Sequence, residues 1–309
     1  MNLQPPSPSS APQVVSREAL ISAITTFLSG WDTLEEIREC LKRELDAAGP
    51  RALIRLSRAL STAGSDWSYY PRDPLASRIH RVLADRILLP DSSLKGAEHL
   101  AALDKVPVVI AANHLSYADA NLVEVMFHRA GADPVCDRLT VIAGPKVYSS
   151  LKRRFSSLCF GTIKVPQSSG VSSEDAVMDP REVARAARRS IEIAHERLRL
   201  GDALLVFGEG TRSRTRGMQP MLAGVTRYLE VPETMVLPVG IVGTEALFPI
   251  DDDALHPVRV EVHVGRPIAA HELRERCAGD RQAMMDEIGR GIAALLPPEY
   301  RGAYETTER

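Results

Sequence analysis

Hydrophobic positions in the first part of the chain recur at helical spacing. Ser16 is placed to cap a helix that carries Leu20, Ile24, Phe27 and Leu28 and stops near Gly30. Ile37, Leu41 and Leu45 fall at i, i+4 and i+8 on a second helix, Leu34 to about Ala48, ended by Gly49-Pro50. A third helix runs from Ala52 to about Ala63 and stops at Gly64. Another starts at Pro74 and carries Ile79, Val82, Leu83 and Ile87. Between these two, Trp67, Tyr69 and Tyr70 sit among turn formers. Residues 16–89 therefore read as a helical subdomain behind a Pro- and Ser-rich tail, residues 1–15, with Pro90-Asp91-Ser92-Ser93 as the joint.

From Val106 the period changes to short apolar runs: Val106–Ala112, Leu139–Ala143, Ala203–Phe207 and Met235–Ile241. A charged helical pattern spans about Pro180 to Leu200, and a last one, Leu273 to Leu296, is broken near Gly279. Val258–Val264 alternates, valines on one face and Arg259, Glu261 and His263 on the other, which predicts an outer or edge strand. Residues 90–309 thus predict an α/β domain, a mixed central sheet flanked by helices, behind the N-terminal helical subdomain.

Composition narrows the class. The chain has 309 residues, 44% hydrophobic and 25% charged, which suits a folded protein with a sizeable core. Lys and Arg number 38 against 40 Asp and Glu, so the net charge of -2 supplies no global pull toward nucleic acid or an anionic bilayer. Cys40, Cys136, Cys159 and Cys277 form no CxxC pair, which argues against a zinc knuckle and for a reducing compartment. No basic-then-apolar leader opens the sequence, and no apolar run approaches the roughly 18 to 20 residues of a membrane span. The expected location is the cytoplasm, with membrane contact at most peripheral.

Two polar blocks follow predicted strands. The first, Asn113-His114-Leu115-Ser116-Tyr117-Ala118-Asp119, lies between an apolar strand and an apolar helix, where open α/β sheets place their sites. With His114 on the loop and Asp119 at the helix start, the carboxylate can hold one imidazole nitrogen and leave the other as a base. The same spacing also fits an ordinary strand-to-helix turn. Ser116 lacks the elbow of a serine nucleophile, and no second histidine suggests a metal. The second block is Gly208-Glu209-Gly210-Thr211-Arg212-Ser213. Its glycines permit close ligand approach, and Arg212 offers a fork for phosphate or carboxylate. It does not match a nucleotide P-loop and, standing alone, also fits a solvated arginine turn.

Together these blocks resemble the glycerolipid acyltransferase family, the glycerol-3-phosphate and lysophosphatidate acyltransferases. The family signature of Asn-His, four residues and Asp matches Asn113-His114 through Asp119, and Phe-Pro-Glu-Gly-Thr-Arg-Ser matches Phe207 through Ser213. Gly161–Val165 looks like the intervening Gly-x-Ile-x-Val strand, Val236–Ile241 like the later Pro-containing strand, and Met221 and Gly224 like the segment after the Arg motif. The resemblance covers about Leu89 to Pro267. The N-terminal helices look more like the front domain of soluble plastid-type members than like apolar membrane helices.

The resemblance implies that His114, oriented by Asp119, deprotonates an acceptor hydroxyl that attacks an acyl carrier protein or acyl-coenzyme A thioester. It places Glu209, Gly210, Thr211, Arg212, Ser213 and Lys146 at the acceptor and phosphate site, with Asn113 auxiliary and backbone donors near His114 for the oxyanion. The implied acceptor is glycerol-3-phosphate or a lysophospholipid, with no bound cofactor and no metal. Two positions depart from the pattern: Gly208 replaces the Pro before Glu, and Gln167 stands where an arginine is expected. A neutral amide cannot neutralise a phosphate, so Lys146, Lys152, Arg153, Arg154 and Lys164 are candidates to compensate. Two further readings follow: acyl transfer to a neutral or specialised hydroxyl or amine, and a noncatalytic scaffold for lipid or acyl carrier.

Overall fold

Apolar runs without polar alternation are stable only in a sheet covered on both faces. A computed structural model describes residues 15–28, 31–101, 103, 106–166, 179–249 and 255–305. The tail 1–14, Gly30 and Gln167 lie outside these residues.

Among the described residues the strands are β1 (Tyr69–Tyr70), β2 (Ser93–Lys95), β3 (Val108–Ala112), β4 (Leu139–Ala143) and β5 (Gly161–Lys164), then β6 (Ala203–Phe207), β7 (Met235–Val242), β8 (Glu261–Val264) and β9 (Ile268–Ala269). They form one mixed sheet in the order β1-β5-β4-β6-β3-β7-β8-β2, with β9 beside β7. The strands β3 to β7 are mutually parallel; β1, β8 and β9 run antiparallel to their neighbours in this central group. All of β3 is buried.

The N-terminal helices are α1 (Arg17–Thr25), α2 (Leu34–Thr62) and α3 (Pro74–Ile87). Ser16 caps α1 by accepting from the Ala19 N–H. The two helices expected between Leu34 and Ala63 are arms of α2, bent at Gly49, whose φ of 75° only glycine adopts at little cost. Ile37, Leu41 and Leu45 are buried, as their spacing requires. Short helices α4 (Glu98–Ala101), α6 (Asp133–Cys136), α7 (Leu151–Ser157) and α11 (Pro298–Arg301) fill the connections. α9 (Ala270–Arg276) is as short as α7, and the longer α5 (Asp119–Arg129), α8 (Pro180–Arg199) and α10 (Arg281–Ala293) include the sheet's cover. The α8 stripe of Ala186, Ser190, Ile193, Ala194 and Leu198 is buried, and α8 packs on β5 and β6 while α10 packs on β3 and β7. Among the described residues no helix is long and apolar enough to cross a membrane.

Two local expectations change. Tyr69 and Tyr70, placed by the sequence among turn formers, form β1 and pair with Ile163 and Thr162 of β5. Strand formation there depends on a partner about ninety residues away, which local propensity does not register. The alternating valine segment is a strand only over Glu261–Val264 and lies between β7 and β2, so β2 takes the edge.

The N-terminal helices are keyed to the sheet domain by charge. Arg81 of α3 donates from Nε and Nη2 to Oε1 of Glu124 on α5, at 3.0 and 2.6 Å, and Glu124 is fully buried. Removing one partner of such a pair strands a charge, whereas replacing both with apolar groups does not. Arg81→Ala is expected to lower the unfolding free energy by about 3–5 kcal/mol in urea denaturation, and R81M/E124L to recover most of it.

Candidate active site

Three neighbouring parallel strands, β6, β3 and β7, bring their carboxyl ends together. The loops leaving them carry Glu209, His114 and Thr244, and Phe207 lies beside Ala112 in register. Polar side chains gather there because the strand interiors are apolar throughout and the chain first turns at these ends.

Asp119 is the first residue of α5 and is fully buried. Its Oδ2 accepts from His114 Nδ1 at 2.8 Å, from Leu115 N at 2.7 Å and from Ser116 N at 3.0 Å. Its Oδ1 accepts from the Thr244 hydroxyl at 2.5 Å. In the neutral imidazole this contact puts the proton on Nδ1 and the lone pair on Nε2. The ring also stacks on Phe207, centroids 4.2 Å apart and planes 17° apart. Asn113 is buried and exchanges hydrogen bonds with the backbone N–H and carbonyl of Ile241, pinning the loop to β7.

Glu209 is buried rather than facing an acceptor. Its Oε1 accepts from His114 N and its Oε2 from Gln219 N, both at 2.8 Å. Burial pushes its carboxyl up from the ordinary 4.5 to about 7, against the lowering effect of the two amides. It holds neither an arginine nor a free hydroxyl site; it ties the β6 loop to the β3 loop. The His114, Leu115 and Ser116 N–H groups are thus engaged by carboxylates, so they do not serve as the expected oxyanion donors.

The rest of the second block divides the same way. Gly210 has φ 71°, and a Cβ there would meet Leu222 Cδ1 at 2.6 Å. A Cβ on Gly208 would meet Met221 Sδ at 2.3 Å, so a larger residue there requires the Met221 side chain to shift. Ser213 donates its N–H to the His114 carbonyl at 2.7 Å and its hydroxyl to the Gly217 carbonyl at 2.8 Å, so its side chain serves the loop. Thr211 is half-buried beside it. Arg212 lies over the Tyr117 ring, 3.7 Å from guanidinium carbon to centroid, which places it on the loop that carries His114.

The compensating cations separate. Arg153 of α7 also lies over Tyr117, at 5.0 Å. Lys146, in the turn after β4, offers its carbonyl to Arg153 Nη1 at 3.1 Å. Lys152 and Arg154 are half-buried on α7, and the Arg154 Nε is buried without a hydrogen-bond partner. Lys164 is committed elsewhere: it donates to the Gly64 carbonyl at 2.6 Å and lies 4.5 Å from the Trp67 ring centroid. Its strand, β5, is three strands from β3, about 14 Å along the sheet at the usual spacing.

Tyr117, Phe207, Thr244 and Gln219 were not marked as site residues by the sequence. Tyr117 and Phe207 stand inside or beside the two blocks, and their aromatic character next to His114 and Arg212 was the available signal. Thr244 and Gln219 had none, since their roles depend on strand neighbours and on a loop return. Among the described residues no three His, Cys, Asp or Glu side chains gather as a metal-binding group.

Residues 92–242 match the family model described as Acyltransferase. This segment holds both polar blocks and is similar to that family. Among solved structures, the chain is similar to the 1-acyl-sn-glycerophosphate (LPA) acyltransferase PlsC from Thermotoga maritima, at 18% identity and TM-score 0.49, over 90% of this chain and 95% of that one. No curated protein matches the sequence.

Between pH 4.5 and about 7 the folded protein holds the Glu209 proton and the unfolded chain does not. Stability from this group therefore falls as pH rises through that window, by up to about 3 kcal/mol. Glu209→Gln removes the titration. Unfolding free energies across the window should show the wild type losing stability relative to E209Q; a difference independent of pH would refute the raised carboxyl.

Proposed function

We propose that this acyltransferase moves an acyl group from an acyl carrier protein or coenzyme A thioester to a hydroxyl of glycerol-3-phosphate or a lysophospholipid, with His114 as general base. The observation that carries the reading is the His114 Nδ1 to Asp119 Oδ2 hydrogen bond of 2.8 Å on a loop that Arg212 also reaches. Nε2 of His114 takes the acceptor O–H proton while the acceptor oxygen attacks the thioester carbonyl. The C–O bond forms, the carbonyl electrons move onto oxygen, and collapse breaks the C–S bond. The departing thiolate takes the proton from the imidazolium, which Asp119 stabilises meanwhile. No covalent acyl-enzyme is needed, and Ser116, buried beside Asp119, is not a nucleophile. Arg212 binds the acceptor's phosphate. The step uses no redox or group-transfer cofactor besides the thioester.

Gln167 favours a second reading, an uncharged hydroxyl or amine acceptor, because an amide leaves a phosphate charge unbalanced. Acceptor profiling with one donor separates the two.

Carrier-thiol release measures the chemistry directly. His114→Ala is expected to lower kcat by on the order of 10²-fold or more with donor binding retained, and D119A to follow it. Robust turnover in a folded H114A protein would refute the general-base role. Arg212→Ala should raise KM for a phosphorylated acceptor more than for its neutral counterpart, and equal effects would remove Arg212 from the phosphate.

A further inference from the structure

At the same edge of the sheet as His114, a second group of cations surrounds an indole. Lys164 pairs with Ala143, and the registers of Val141 with Leu205 and of Phe207 with Ala112 carry that row on to β3, so the end of β5 stands level with the end of β3. Lys164 lies 4.5 Å from the Trp67 ring centroid. Trp67 in turn lines an open cleft of about 420 Å³ with Glu182, Arg185, Ala186 and Arg189. That size lies within the range of small-molecule sites, about 300–1,000 Å³. Because α8 leads back to the start of β6, its first turns stand on the side of the active site.

The charge on those turns is not balanced within the molecule. Arg181, Arg185 and Arg189 stand at i, i+4 and i+8 on one exposed row, each about 6 Å from the next, and like charges at that spacing destabilise a helix. Among the described residues no carboxylate lies within ion-pair distance of Arg181 or Arg185, and Arg189 shares Glu192 with Arg188, at 3.7 and 3.2 Å. The Arg185 Nε donates to the Arg181 carbonyl at 3.4 Å, which leaves both Nη groups for a ligand. A bare phosphate needs the arginines but not the indole. A purine nucleotide uses both, since its base stacks on an aromatic ring and its phosphates take paired contacts from guanidiniums. Glu182, the acid of the cleft, offers an acceptor for an exocyclic amine. A coenzyme A thioester supplies such a nucleotide, with phosphates on the 3′ and 5′ positions of one ribose. The span agrees as well. β5 lies three strands from β3, about 14 Å, and the pantetheine arm between sulfur and diphosphate is as long as about four extended residues, roughly 14 Å.

We propose that the cleft between Trp67 and α8 binds the 3′-phosphoadenosine end of a coenzyme A donor: the purine rests against Trp67, and Arg185 and Arg189, with Arg181 at the end of the row, hold the phosphates. The proposal deepens the acyltransfer reading and rests on it for the identity of the thioester. It selects coenzyme A over an acyl carrier protein, because a protein carrier holds its pantetheine arm on a serine phosphodiester and has no base to stack. The donor is then gripped by a residue of the N-terminal part and by α8, both outside the two polar blocks, and its arm runs along the strand ends to His114.

The test compares wild type with R185A, R185A/R189A and W67L, each checked for folding by thermal denaturation; the two arginines are exposed on a helix, so their loss leaves the core intact. Binding is read by calorimetric titration with coenzyme A and with adenosine 3′,5′-bisphosphate, and turnover by KM and kcat for acyl-coenzyme A, acyl-pantetheine and acyl carrier protein thioesters. R185A is expected to weaken binding of both nucleotides about tenfold and to raise KM for acyl-coenzyme A by a similar factor at unchanged kcat, as for loss of a charge-assisted contact. R185A/R189A should lose more, and W67L should weaken the bisphosphate as well. KM for acyl-pantetheine, which has no nucleotide, should stay the same in every variant. Unchanged nucleotide affinity in R185A/R189A overturns the proposal, and so does an equal rise in KM for acyl-coenzyme A and acyl-pantetheine. A rise confined to the acyl carrier protein thioester would give this surface to a protein carrier and also overturn it. Absence of nucleotide binding by the wild type refutes the cleft, whereas nucleotide binding lost in R185A/R189A without any acyl transfer by the wild type refutes only the acyltransfer reading.

Discussion

Burying Asp119 would cost several kcal/mol if its oxygens were not filled with hydrogen bonds, and the groups that fill them come from two strands. His114, Leu115 and Ser116 arrive from the end of β3, and Thr244 arrives from the end of β7. The carboxylate therefore fixes a ring, a loop and an inter-strand relation together. Turning the imidazole away means leaving a buried acceptor short of a donor, so the observed ring orientation is the stable one. Gly243 makes the β7 side possible: its φ is 91°, and a Cβ there would meet the Arg259 carbonyl oxygen at 2.3 Å.

Glu209 repeats the arrangement on the other side of β3. Its two oxygens take the N–H of His114 and of Gln219, so the β6 loop folds back and grips the His114 loop from behind. The C-terminal elements hold that loop from outside, Tyr300 and Ala303 through the backbone of Met218 and Tyr304 through its hydroxyl to the Met221 N–H. The polar blocks thus divide by direction. Asn113, Asp119, Glu209 and Ser213 face the frame and give it shape, while Tyr117 and Arg212 face outward beside His114.

The N-terminal helices take part in this frame rather than hanging in front of it. Arg81 of α3 reaches the buried Glu124 on α5, the helix that begins with Asp119. The segment between α2 and α3 adds β1 to the sheet, and Lys164 is drawn toward Gly64 and Trp67 of that same segment. A lysine that the linear sequence places among phosphate ligands is in this way spent on joining the two parts, and burial pushes its ammonium pKa down.

Local chemistry wrote much of this into the chain. Apolar runs at Val108–Ala112, Leu139–Ala143 and Ala203–Phe207, the helix starts at Ser16 and Pro74, and the five-residue step from His114 to Asp119 depend on neighbours within a few positions, and they were readable from order alone. Side chains whose partners are distant were not. Tyr69 became a strand because of β5, Glu209 turned inward because amides waited there, and Arg153 rather than Lys164 came to Arg212 because α7 and β5 end in different places. The sequence determined which groups carry charge, protons and apolar surface. Only the tertiary structure decided which of them face each other, since burial forces every polar atom to find whatever partner the sheet order brings within reach.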